Sequence, residues 1–299
     1  MKITFQEVSE ATDLRAQRPA RRGVDNELLD DAATGLSFHA LASGSRGNAS
    51  VIVDRTTGKA LVVDCGICKR DFFSRLDEVG VDLGDIAGIL ITHEHTDHTK
   101  GLGVVLRGMA KLGLETPVVV SDETQEASSE ILSFKDIFEI RSLTDKGSFS
   151  LGGIAVHPFK TSHDSVDSYG FRFEGSCGDT VGFMTDSGIV TDAAFAHLEH
   201  CRVLAIESNH DTQMLADGPY PYPVKKRIAS DKGHLSNAQS AALLEKLLCN
   251  ELQQVIAMHI SENNNTYRIP SDTLSEVVKR NAHAAQVHVA YQHMRVSVD

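Results

Sequence analysis

The segment ILITHEHTDHTKG, residues 89–101, constrains this chain more than any other. An apolar run leads directly into His93, His95, Asp97 and His98. Neutral imidazole and carboxylate are good ligands for zinc and other borderline divalent ions. Residues two apart on a helix do not share a face. The pattern therefore predicts a buried strand ending in a loop, with His93 and His95 aimed at one ion. Asp97 and His98 would reach a second ion close by. An ordinary polar loop has no reason to place these donors straight after an apolar strand.

The arrangement recurs along the chain. Apolar TVGFMT ends at Asp186, QQVIAM ends at His259, and IAVHPFKTS leads to His163. Each is a predicted strand that delivers a ligand type at its end, where loops carry function on a rigid scaffold. Together they predict two divalent metal ions per chain, zinc first, with manganese or iron as alternatives. His93, His95 and His163 would hold one ion, and Asp97, His98 and His259 the other. Asp186 would be shared, because a carboxylate bridges two cations more readily than an imidazole does.

The rest of the chain supplies a frame for such a site. SFHALAS, SVIV, ALVVD, TPVVVS, SYGFRFE and RVLAIES read as further strands, and GSRGN as a turn between the first two. Helical spacing covers 69–79 and 104–113, and a strong helix runs over 236–249 with Ser236 as its cap. A last helix is expected over 271–281, after Pro270. Many short strands and few helices predict a layered α/β domain, not a doubly wound parallel sheet. Residues 1–35 are polar and charged, and are expected to form a disordered or loosely attached extension. The hydrolase domain would then occupy 36–299.

Composition narrows the setting. No apolar run approaches the roughly 20 residues of a membrane span. The N-terminus lacks the apolar core of a secretory signal. With five cysteines, this predicts a cytoplasmic protein with free thiols. A net charge of −12 argues against a generally basic, nucleic-acid-coating surface. A locally basic cleft is still compatible with it.

The order of motifs resembles the metallo-β-lactamase superfamily, over about residues 37–292. LASGSRGN, TSHDSVDSYGF, FMTDSG, ESNHDTQML, GHLSN and MHISENNN resemble the YycJ/WalJ-type branch more finely. The resemblance implies a four-layer αβ/βα sandwich, two mixed β-sheets flanked by helices, with metals at one edge. It implies a phosphodiesterase related to ribonuclease Z and ribonuclease J, of the 5′-to-3′ DNA exonuclease kind, using water activated by two metals. It also implies roles for His234 in GHLSN, at the scissile phosphate or leaving oxygen, and for Glu207 in ESNHD as its acidic companion. Asp97 would orient the attacking water or accept its proton. His210 is a competing candidate for contact with substrate.

Between Glu207 and His234 lie Tyr220, Tyr222, Lys225, Lys226 and Arg227. Aromatics beside cations can stack bases and hold phosphates, so this run is a candidate rim for a nucleic-acid substrate. A glyoxalase II-like thioesterase or another small-molecule metallo-hydrolase is the alternative, since it shares HxHxDH. A non-enzymatic scaffold would have lost ligands. Cys65 and Cys68 form CGIC without a thioredoxin-like context. Asp64, just before them, is expected to support the metal loop.

Overall fold

Strands with apolar residues on both faces must be covered on both sides. Ala60–Val63 and Val203–Glu207 are of this kind, fully buried along their lengths. Leu61, Val63, Val203 and Ala205 share one hydrophobic cluster with Phe38, Phe171, Phe173 and Phe183. Their neighbours face the other way. Ala60 and Val62 join a second cluster, and Leu204 and Ile206 a third. Three apolar layers imply four layers of structure. The computed structural model, which describes residues 34–299, has that architecture.

The first sheet contains β1 (Leu36–Ala42), β2 (Ala49–Asp54), β3 (Ala60–Val63), β4 (Ile86–Leu90), β5 (Val118–Val120) and β6 (Ile140–Ser142). The second contains β7 (Phe149–Leu151), β8 (Ile154–Lys160), β9 (Tyr169–Glu174), β10 (Thr180–Met184), β11 (Val203–Glu207), β12 (Gln254–Met258) and β13 (Gln286–Val289). A final strand, β14 (Val296–Val298), returns to the first sheet beside β1. Each sheet is mixed. The strands β3 to β6 run parallel, as do β10 to β13, while the remaining pairs are antiparallel.

Helices cover both outer faces. On the first sheet lie α1 (Lys69–Glu78), the single turn α2 (Thr96–Thr99), α3 (Leu102–Ala110), α4 (Asp122–Ala127) and α5 (Ser129–Leu132). The chain continues with α6 (Asp192–Leu198), α7 (Thr212–Asp217), α8 (Tyr222–Ile228), α9 (Asn237–Leu247) and α10 (Arg268–Arg280). Phe72 and Leu76 of α1 and Val105 and Met109 of α3 pack under the first sheet. Leu243, Leu244 and Leu247 of α9 and Leu274 and Val277 of α10 pack under the second.

The two-sheet sandwich agrees with the expected fold class. Helices are more numerous than expected, because α4 to α8 are short and their periodicity is too brief to read. α8 follows Pro221 and contains Pro223 in its first turn, where the missing N–H costs nothing. The last helix begins at Arg268, three residues before its predicted start, and takes Pro270 into its first turn for the same reason. Ser236 caps α9 through a full capping box with Gln239. Among the described residues no helix is long and apolar enough to cross a membrane. The extension expected over residues 1–35 falls almost wholly outside the described residues.

Candidate metal centre

Every candidate ligand sits at or just beyond the C-terminal end of a strand. The segment after β4 carries His93 and His95 into α2, which holds Asp97 and His98. His163 follows β8, Asp186 follows β10, and His259 follows β12 directly. The parallel register sets Met184 opposite Ile206 and Ile206 opposite Ala257. Two residues further on, Asp186 and His259 stand level on either side of β11. Both take positive φ, 56° and 54°, as does Asp64 at 62°. Non-glycine residues seldom adopt this backbone. It is the kind of local strain found where side chains must be aimed.

Asp64, at the end of β3, organises the histidine loop. Its Oδ1 accepts from the Thr92 N–H at 2.9 Å, and its Oδ2 lies 2.7 Å from His98 Nδ1. That contact commits Nδ1 and leaves His98 Nε2 pointing into the centre. His163 is fixed in the same manner, with Nδ1 3.0 Å from the Gly233 carbonyl. The Thr92 hydroxyl lies 2.9 Å from His93 Nδ1. The opposite nitrogen of His93, Nε2, is buried with no hydrogen-bond partner. A buried ring nitrogen without a partner is costly, and here it faces other donors.

Those donors fall into overlapping groups. Atoms of His93, His95 and His163 lie within 4.8 Å of one another, and so do atoms of Asp97, His98 and His259. Asp186 reaches both groups: its Oδ1 is 3.8 Å from His163 Nε2, and its Oδ2 is 3.4 Å from His98 Nε2 and 2.8 Å from His259 Nδ1. Burial opposes charge on Asp186, but His259 and His98 hold its carboxyl well below the usual range. Burial also opposes charge on His98, and Asp64, Asp97 and Asp186 raise it well above normal nonetheless. His259 rises to about 9, because Asp186 outweighs burial. Burial and neighbouring His98 push His93 the other way, well below its usual value. The buried carboxylates thus demand positive charge at the centre. Divalent cations would answer that demand, and the donor set fits them.

His234 is held in the same manner. Its Nδ1 is 2.7 Å from Glu207 Oε1, so this nitrogen is already engaged. Glu207 is fully buried, and its other oxygen accepts from the N–H groups of Ser187 at 3.0 Å and Leu235 at 3.1 Å. Donor atoms of Asp186, Glu207, His234 and His259 also form a group within 4.8 Å. His234 lines the cleft with its side chain 17% exposed, whereas His93 is fully buried. Gly233 brings the His234 loop against α8: a Cβ there would stand 2.0 Å from the Ile228 carbonyl oxygen.

A cleft of about 280 Å³ opens over the centre, lined by His95, Asp97, Asp186, His234, Tyr220 and Arg227, among others. Of the predicted rim, Tyr220 and Arg227 line it. Tyr222 does not; it is 76% exposed and outside the lining. Lys225 donates to the Ala216 carbonyl at 2.6 Å, and Lys226 lies outside the lining. The rim segment is a helix, so successive residues point in different directions and the run cannot act as one patch. His210 is 2% exposed, burial pushes its imidazole down to about 4, and it is not among the residues that line the cleft.

Three residues support the site through contacts that the sequence did not show. Asn48 donates to Asp97 Oδ2 at 3.2 Å and lies 3.1 Å from His98 Nε2. Ser43 accepts the His259 N–H at 2.7 Å. Asp164 forms an ion pair with Arg227 at the mouth of the cleft. In the Ser43–Asn48 turn, Ser43 donates to Tyr291, Gly44 to Asn48, Arg46 to Gln292, Gly47 to Gly44 and Asn48 to Asp97, while Ser45 lines the cleft. The turn braces the centre through Asn48 and Ser43. Cys65 is buried and Cys68 exposed, both as free thiols, and burial raises the Cys65 thiol well above its ordinary range.

Comparison with known proteins agrees with this architecture. Residues 60–260 match the beta-lactamase superfamily domain. Exodeoxyribonuclease YycJ of Bacillus anthracis is 32% identical over 247 residues, covering 82% of this chain and 90% of that protein. Exodeoxyribonuclease WalJ of Streptococcus pneumoniae serotype 2 (strain D39) is 34% identical over 242 residues, 80% of this chain and 87% of that protein. The solved metallo-β-lactamase fold protein YhfI of Bacillus subtilis is similar with a TM-score of 0.63, covering 88% of this chain and 99% of its own, at 14% identity. That likeness concerns the fold alone.

Proposed function

This chain belongs to the beta-lactamase superfamily, in its YycJ/WalJ branch, and we propose that it is a metal-dependent phosphodiesterase that degrades DNA from an end. The observation that carries this reading is His234, held on Nδ1 by buried Glu207 beside the cluster of metal-type donors. A hydrolase of small thioesters has no need for a second, carboxylate-oriented histidine. A phosphodiesterase does, because its leaving oxygen must be stabilised or protonated.

Five imidazoles (His93, His95, His98, His163 and His259) and two carboxylates (Asp97 and Asp186) would hold the ions. A donor set so rich in nitrogen suits zinc, with manganese or iron as alternatives. Bound divalent ions supply Lewis acidity toward a phosphoryl oxygen and acidify water. The protein's own groups do the rest. Asp97, steadied by Asn48, orients the attacking water. His234 presents Nε2 to the leaving oxygen and passes it a proton, while Glu207 on Nδ1 keeps the ring in one orientation. Arg227 contacts a phosphate at the mouth, exchanging its Asp164 partner for the substrate. Bidentate guanidinium–phosphate contacts favour arginine in that place. The cleft over the centre holds about 280 Å³, room for a phosphodiester unit beside the donors.

The test is metal-reconstituted protein on end-labelled single- and double-stranded DNA and RNA, beside a glutathione thioester and a β-lactam. Stepwise loss of nucleotides from one DNA end is the expected result. Cleavage of the thioester with no oligonucleotide cleaved, whether zinc, manganese or iron is supplied, overturns the proposal.

A further inference from the structure

The strands β11 and β12 carry site residues at their C-terminal ends. Their N-terminal ends, at the opposite pole of the sheet, bring together another group of donors. Val203 pairs with Gln254 in the parallel register. Carried back three residues on each chain, that register sets His200 level with Glu251. Cys249 is two residues earlier on the second chain. Donor atoms of His200, Cys249 and Glu251 all lie within 4.8 Å of one another, with His200 Nδ1 3.6 Å from Glu251 Oε2.

Both loops are anchored by their backbones. The N–H groups of Gln253 and Gln254 donate to the Arg202 carbonyl at 2.8 and 3.1 Å. The Thr180 hydroxyl donates to the His200 carbonyl at 3.2 Å. His283 Nε2 lies 2.8 Å from the Cys249 carbonyl, so the segment carrying the thiol is held from α10's side as well. His200 takes a φ of 56°, close to the values at Asp186 and His259. None of these three side chains has a part in the proposed hydrolysis.

We propose that His200, Cys249 and Glu251 form an accessory site for a zinc-type divalent cation, separate from the catalytic centre. One sulfur, one nitrogen and one oxygen donor match a borderline cation. Magnesium and calcium are disfavoured, since they require mostly oxygen ligands. The side chains of His200 and Glu251 are 69% and 58% exposed. A fourth position therefore opens to solvent, and the ion exchanges more readily than one in the buried centre. A cation here clips together the loops that enter β11 and β12. Its second consequence is stoichiometric: zinc-saturated protein carries one ion more than the catalytic centre holds.

Cobalt titration of the metal-stripped full chain, kept reduced with a non-chelating phosphine, reads this site directly. Only a thiolate ligand gives the near-ultraviolet sulfur-to-cobalt charge-transfer band. Of the five cysteines, Cys65 and Cys201 are buried, while Cys68 and Cys177 are exposed and lie outside the cluster. The band is expected in the parent and in Cys68→Ser and Cys177→Ser, and should vanish in Cys249→Ser. His200→Gln and Glu251→Gln, two exposed changes that leave the core untouched, should weaken cobalt binding at this site by about tenfold or more. Zinc content should fall by one ion per chain in Cys249→Ser, with phosphodiesterase activity retained. A parent without the band, or a band that survives Cys249→Ser, overturns the accessory site. Neither result touches the catalytic proposal, which the oligonucleotide assay decides independently.

Discussion

The two halves of the metal centre are assembled in different ways. His93, His95, Asp97 and His98 come from one continuous segment after β4, and their main support, Asp64, stands on the neighbouring strand β3. On the other side, Asp186, Glu207, His234 and His259 come from four separate places in the chain. They are joined by contacts between residues 27 to 73 positions apart, such as His234 to Glu207 and His259 to Asp186. The first half is a local motif on a sheet edge. The second exists only when β10, β11 and β12 are paired in register. Damage in the first half should therefore stay local, while damage at the junction should reach both ions.

Asp186 is that junction, so it should give the largest effect. In Asp186→Asn, both ions should be lost on gel filtration and phosphodiester cleavage should fall to background. Elemental analysis that finds one tightly held ion and partial activity would mean that Asp186 holds one ion only. The next effect belongs to His234. Its alanine variant should keep its metal content and lose cleavage by about 100-fold, the range of a missing general acid. Should that variant lose metal instead, His234 is a ligand and the line drawn between it and His259 is wrong.

Asp64→Asn probes the local half. It removes the charge opposite His98 Nδ1 without changing the size of the side chain. Metal affinity should drop by about 10- to 100-fold, and excess metal should restore activity. An equal loss that no concentration of metal restores would show that Asp64 holds the fold of the loop and not the aim of one ligand. The smallest effect is expected at the rim. Arg227→Ala should raise KM for a long oligonucleotide by about tenfold, in line with loss of one charge-assisted phosphate contact. A small chromogenic phosphodiester should be cleaved as before. Lys225→Ala and Lys226→Ala should do less, since neither side chain lines the cleft. A larger effect at either lysine would move the nucleic-acid path onto the outer face of α8.

The local half was the more legible in sequence. HEHTDH needs no tertiary information to be suspected of metal binding, because its spacing, its residue types and the apolar strand before it are all contiguous. The strands that end at Asp186 and His259 were legible for a similar reason, as unbroken apolar runs with a polar terminus. Short helices were not. The helix α8 opens among prolines, and its cations read as a basic run until the helix turns Arg227 toward the cleft and Lys226 away from its lining. Nor was the burial of His210 legible, which comes with its bridge to Ser236.

Sequence alone determined what is contiguous along the chain: the unbroken apolar runs that bury both faces of β3 and β11, the capping box of α9, and the crowding of donors after β4. These are set within a few residues and survive any rearrangement at longer range. Tertiary structure alone decided which distant groups meet. Asn48 rests on Asp97, Asp164 neutralises Arg227, Glu207 takes the Nδ1 side of His234, and His200 comes level with Glu251. Each of these contacts depends on strand register and on where the chain turns back. A register displaced by one residue would reverse every side chain involved, and no local period in the sequence specifies it.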